Sequence, residues 1–241
     1  MLEFLPCPAI SCGNVELARI KAVTFDAGGT LMQPWPSVGH VYSAVAAELG
    51  YGSVSPKELN EAFAMAWNLK QQFDYSLSAW FGLVEEVFGK HLSSPLSQKL
   101  FDSLYERFRA GAAWRVYDDV RPTLEALHQR GYRLAVISNW DHRLKPLLAD
   151  LQLSEYFEAI VLSVDVGATK PAAKIFEHTL NLLKLPPPAL LHIGDSPEED
   201  LIGPRQCGMA ALLLDRQRKT EERLSSLTDL LPLLRGPVNE H

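Results

Sequence analysis

From Val120 to Leu214, short apolar runs alternate with helix-forming stretches, and this alternation limits the fold more than any other feature of the chain. Arg133–Ile137, Ala159–Leu162, Leu190–Ile193 and Ala210–Leu214 read as strands, with Ile20–Phe25 as a fifth far upstream. Apolar strands separated by helices are the pattern of a parallel sheet covered on both faces. Pro122 to Gly131 reads as one such helix, closed by its glycine. The expected fold is α/β, a doubly wound, Rossmann-like sheet of five parallel strands. Leu224 to Leu234 is apolar enough to dock on that core and is read as a packing helix.

The strand signals stop between Val38 and Ala113, where the spacing is helical. Val41, Val45 and Leu49 share one helical face, and Gly50-Tyr51-Gly52 ends it. Ser55-Pro56-Lys57-Glu58 has the cap, the first-turn proline and the early acid that open a helix. Ala79–Phe88 and Leu96–Phe108 add two more. The expected division is a leader over 1–19, a core over 20–36 and 115–241, and a helical domain over 37–114. Trp67, Phe73, Tyr75, Trp80 and Phe81 are expected to pack inside the helical part, with one or two facing a cleft.

Chemistry gathers at the strand ends. Asp26 leaves an apolar strand into Ala27-Gly28-Gly29-Thr30-Leu31, where a carboxylate can serve as a nucleophile or simply cap a turn. After Ile193 come Gly194-Asp195-Ser196-Pro197-Glu198-Glu199-Asp200, which suit either an oxygen-ligated Mg²⁺ or an acidic helix start near Glu198. Ser138-Asn139 follows another strand, and Lys170 precedes Pro171; a hydroxyl and an ammonium at such positions can hold a phosphoryl group.

The order Asp26, Ser138, Lys170, then Gly194-Asp195 with Asp200, resembles the haloacid dehalogenase-like hydrolase superfamily over about residues 20 to 215. Trp114-Arg115-Val116-Tyr117 and Val136-Ile137-Ser138-Asn139-Trp140-Asp141 are similar to one branch of it. The resemblance implies Asp26 as nucleophile, Ser138 and Lys170 on the transferring group, and a helical cap. It also implies a Mg²⁺ site from Asp26, the Gly28 carbonyl, Asp195 and Asp200. Thr30 and Asn139, in the same loops, are read as substrate contacts.

One position departs from the pattern. Phosphatases of the superfamily carry a second Asp two residues after the nucleophile as general acid and base, and this chain has Gly28. Loss of such a group costs about 10²- to 10⁴-fold. Three readings follow: a phosphatase whose acid is dispensable or supplied elsewhere, with Asp141 as one source; a 2-haloacid dehalogenase, whose halide leaves unprotonated; or a weak or inactive binding module. The acidic loop at Asp195 and the absence of a cap arginine at Asn68 speak against the second.

A net charge of −6 over 241 residues disfavours nucleic acid or an anionic membrane as partner. A small, phosphorylated molecule is the expected one. No stretch approaches the roughly eighteen apolar residues of a membrane span. Cys7, Cys12 and Cys207 are too few and too scattered for a disulfide framework, so a cytoplasmic setting is expected.

Overall fold

The computed structural model describes residues 17–70, 73–89, 91–92, 95–217 and 223–236. Most of the expected leader, with Cys7 and Cys12, lies outside them; its last residues, Leu17–Arg19, form a 3-10 turn.

The core is a parallel sheet built from β1 (Ala22–Phe25), β4 (Arg133–Ser138), β5 (Ala159–Leu162), β6 (Leu190–Gly194), β7 (Ala210–Leu214) and β8 (Arg223–Leu224). The strand order is β5-β4-β1-β6-β7-β8. The chain leaves β1, extends the sheet on one side through β4 and β5, then returns to the other side through β6. Its switch point therefore lies at β1, between β4 and β6, where open α/β sheets bind ligands beyond their strand ends.

Burial explains the alternation of apolar runs. Every residue of β1, β6 and β7 is buried. Val23, Phe25, Val136 and Ile193 point to one face, against Leu124 and Leu127 of α5 (Val120–Gln129) and Leu144, Leu147 and Leu148 of α6 (Leu144–Asp150). Ala22, Ala135, Ile137 and Leu190 point to the other, against Ile175, Phe176 and Leu183 of α8 (Ala173–Leu183). Each such buried side chain contributes roughly 1.5–3 kcal/mol.

The sheet has six strands where five were expected. The sixth, β8, pairs Arg223 and Leu224 with Leu213 and Leu214 and is only two residues long, too short for a periodic signal. The helix expected over Leu224–Leu234 is also corrected: the segment continues as a 3-10 turn over Leu227–Leu230. Pro232 would break a continuous helix there. Leu224, Leu227, Leu230 and Leu234 still dock on the core, fully buried.

Four helices fill the interval between β2 (Met32–Pro34) and β3 (Trp114–Val116): α1 (Val38–Glu48), α2 (Pro56–Leu69), α3 (Leu77–Phe88) and α4 (Gln98–Arg107). Each starts the same way. The hydroxyls of Ser37, Ser55, Ser76 and Ser97 accept from the backbone N–H three residues on, satisfying a donor the helix itself leaves free. Leu59, Val87, Phe88 and Leu100 give these helices an apolar cluster of their own. β2 and β3 pair antiparallel, Met32 with Val116 and Pro34 with Trp114, and so tie the two ends of the helical segment together beside β1. Short helices α7 (Ser163–Val166) and α9 (Gly203–Gln206) complete the core. Among the described residues no helix is long and apolar enough to cross a membrane.

Candidate active site

Asp26, Ser138 and Asp195 sit at the carboxyl ends of three neighbouring strands, β1, β4 and β6, so sheet register alone brings them together. The Ser138 hydroxyl donates to Asp26 Oδ1 at 3.0 Å. Lys170 reaches the same oxygen from the segment before α8, with Nζ 2.7 Å from Asp26 Oδ1 and 2.5 Å from Asp200 Oδ1. Both hydrogen bonds to Asp26 therefore fall on one oxygen, which leaves Oδ2 for chemistry.

Lys170 is entirely buried. Burial would lower its pKa, but the carboxylates of Asp200 and Asp26 outweigh this and hold it above the ordinary lysine value, so it is an ammonium. Burial raises the pKa of Asp26, opposed by Lys170 and reinforced by Asp200. At Asp195, crowding of the carboxyl and then the charges of Asp26 and Asp200 push the value up to about 7, although the residue faces the cavity.

Asp26, Asp195 and Asp200 can each present one oxygen so that all three lie within 4.8 Å of one another. A set of hard oxygen donors with uncompensated negative charge fits Mg²⁺. The three are not equivalent. Asp200 Oδ1 accepts from Lys170 and His192, and Oδ2 accepts from the Ser196 N–H at 3.0 Å. Its carboxylate is thus engaged by protein donors, whereas Asp195 is open to the cavity. Burial would raise the pKa of Asp200; Lys170 and His192 outweigh it and keep the group ionised.

His192 carries no signal in the sequence beyond its place in an apolar strand, yet it completes this network. Its Nε2 lies 3.0 Å from Asp200 and its Nδ1 2.8 Å from the Thr24 hydroxyl on the paired position of β1. Burial lowers its pKa. A neutral ring donating from Nε2 and accepting at Nδ1 satisfies all three groups.

The remaining expected residues fall in different places. Asn139 lines the cavity, but its side chain brackets the loop: Oδ1 accepts from the Lys170 N–H at 2.7 Å, and Nδ2 donates to the Lys170 carbonyl and to Glu199. Thr30 is fully buried, its hydroxyl has no hydrogen-bond partner, and it lies outside the cavity lining. Asp141 lies outside it too, with its carboxylate bound to Arg143 Nε and Nη2 at 2.7–3.2 Å. The Asp141 carboxylate is thus committed to an ion pair with Arg143.

Two glycines shape the floor. Gly29 has φ +82°, and a Cβ there would meet Asp195 Oδ2 at 2.1 Å, so only glycine lets that carboxylate approach. Gly28 has no such backbone demand. A Cβ at Gly28 would instead lie 3.0 Å from Cζ3 of Trp140, so a side chain there would crowd the indole. Trp140 lines the cavity and packs against Trp114.

The cavity above these groups has a volume of about 640 Å³ and extends into the helical segment. Of the aromatic residues expected to pack inside that segment, Trp67, Tyr75 and Trp80 also line the cavity. Tyr75 is the most constrained, buried with φ 62°.

A parallel sheet with a carboxylate cluster at its switch point defines the class, a doubly wound, Rossmann-like α/β protein with its site at the strand ends. Residues 20–208 match the family of haloacid dehalogenase-like hydrolases, and the chain belongs to that family. It is 32% identical over 240 residues to haloacid dehalogenase-like hydrolase domain-containing protein 3 of Homo sapiens, covering 90% of this chain and 94% of that one. It is 28% identical to the glyceraldehyde 3-phosphate phosphatase of Methanothermobacter thermautotrophicus, covering 85% of this chain and 89% of the other. Among solved structures, a 2-haloacid dehalogenase of Pseudomonas syringae superposes with a TM-score of 0.63 at 26% identity, covering 89% of this chain and 97% of that chain.

Proposed function

We propose that this protein is a Mg²⁺-dependent phosphatase that acts on a small phosphorylated molecule in the cytoplasm, with Asp26 as its nucleophile. The observation that carries this reading is the meeting of Asp26, Asp195 and Asp200 beside one buried ammonium, with all three residues lining the cavity. Asp26, Asp195 and the Gly28 carbonyl would hold the metal, and Asp200 would support it by fixing Lys170. Bound there, Mg²⁺ would offset the negative charge of the phosphoryl oxygens.

In this reading Asp26 Oδ2 attacks phosphorus, the bond to the leaving oxygen breaks with its electron pair on that oxygen, and an aspartyl phosphate forms. Ser138 and Lys170 donate to the phosphoryl oxygens as they leave Asp26 Oδ1. Water then attacks phosphorus, releasing inorganic phosphate and the Asp26 carboxylate. The helical segment, residues 37–114, acts as a cap that closes the cavity to solvent.

A dehalogenase would share Asp26 and would also need no acid at Gly28. The acidic loop distinguishes the two readings, because a halide leaving group gives no purpose to the charge at Asp195. A panel of phosphate esters and 2-haloacids, assayed with Mg²⁺ and with EDTA, tests this. Metal-dependent release of phosphate is expected; metal-independent release of halide would overturn it.

A further inference from the structure

We infer that the group leaving from phosphorus is a planar aromatic one, an assignment that rests on the phosphatase reading above and names its substrate class. The cavity has two unlike ends. At the strand ends it is lined by Asp26, Ser138 and Asp195; within the helical segment its walls include Tyr42, Phe63, Trp67, Trp80, Phe101 and Tyr105. A phosphoryl group occupies only the first end. The second is continuous with it, and the whole has the size of a small-molecule site.

The rings pack into one aromatic wall. Phe63 stacks on Trp67 with centroids 5.7 Å apart and planes 13° apart, and Trp67 stacks on Trp80 at 6.0 Å and 22°. A planar ring can extend such a wall by offset or edge contact, with a gain beyond simple area burial.

Charge points the same way. The cations lining the cavity are Lys70 and Arg143. Arg143 is paired with Asp141 and lies over the ring of Tyr105, 3.7 Å from its centroid. Lys70 lies over Trp67, also at 3.7 Å. Both cations are thus held against ring faces, and the Arg143 fork is taken up by Asp141.

The chemistry at Gly28 agrees. With no acid at Gly28, the leaving oxygen departs as an anion and takes its proton from solvent. An aryl oxygen bears that charge more readily than an alkyl one, because the ring delocalises it.

Binding and reactivity are separable by experiment. Benzyl phosphate and ethyl phosphate both release an alkoxide, but only the first carries a ring. The KM of the wild-type enzyme is expected to be about tenfold or more lower for benzyl phosphate, as burial of one ring gives. Benzylphosphonate should inhibit more strongly than ethylphosphonate by a similar factor and should alter tryptophan fluorescence. Val84→Phe, which extends a ring into the cavity from α3, should cut the benzyl advantage to about threefold or less, with folding checked by circular dichroism. Hydrolysis of both esters with equal KM would overturn this inference and leave the phosphatase reading standing. Hydrolysis of no phosphate ester with Mg²⁺, aryl phosphates included, would overturn both.

Discussion

The ammonium of Lys170 lies 2.7 Å from Oδ1 of Asp26, and both side chains are almost wholly withdrawn from water. A buried charge pair of this kind is costly to break from one side, because the partner is left without compensation. Lys170→Met leaves both Asp26 and Asp200 in that state. It is expected to lower unfolding free energy by about 3–5 kcal/mol, as measured by urea denaturation, and to abolish turnover. Asp26→Asn keeps the shape and removes one charge from a cluster rich in negative charge, so it should lose turnover while retaining the fold.

The metal reading makes Asp195 the exposed ligand. Asp195→Asn is expected to eliminate the rise in melting temperature that Mg²⁺ produces in the wild type, and to eliminate turnover with it. A thermal-shift titration with and without EDTA measures the first effect without reliance on activity. An unchanged response to Mg²⁺ would place the cation elsewhere.

The indole of Trp140 predicts an unusual result for restoring the acid. Gly28→Asp alone places its Cβ 3.0 Å from that ring and is expected to give no gain on alkyl phosphates. Gly28→Asp combined with Trp140→Ala opens the space and is expected to raise their turnover toward the roughly 10²- to 10⁴-fold range of general acid catalysis. Comparing kcat for the two variants over leaving groups of differing basicity measures this. A gain from the single substitution would mean that Trp140 does not crowd the acid.

Much of this arrangement is legible in the chain because it is local. Asp26 and Asp195 each follow an unbroken apolar strand, and Ser55 marks a helix start that the structure realises. What is not legible depends on distant partners. β8 exists because two residues find the edge of β7, and β2 with β3 pairs residues far apart in the chain, such as Met32 with Val116. His192 reads as one polar residue in a strand until Thr24 and Asp200 are set on either side of it. Asp141 stands next to the Ser138-Asn139 motif in sequence, but Arg143 claims its carboxylate.

Away from the site, Asp119 ties the carboxy-terminal segment to the core and predicts an acid-sensitive step. It accepts from Arg216 at 2.9 and 3.0 Å, from the Ser226 hydroxyl at 2.8 Å and from the Leu227 N–H at 2.7 Å. Burial would raise its pKa, but these donors outweigh it and hold the value below the ordinary 3.8. A depressed folded pKa contributes stability that is present above the unfolded value and lost as pH falls through the folded one. Asp119→Ala is therefore expected to cost about 2–3 kcal/mol near neutral pH, with the difference from wild type narrowing below about pH 4. Urea midpoints across that range measure it.

The aspartyl phosphate is the step on which the whole account depends. Acid quenching during turnover of an aryl phosphate with Mg²⁺, followed by peptide mass spectrometry, reads it directly. The account predicts a phosphoryl group on Asp26 that is absent without Mg²⁺ and absent in Asp26→Asn. Steady hydrolysis by Asp26→Asn, with no phosphorylated peptide at any time, would contradict it.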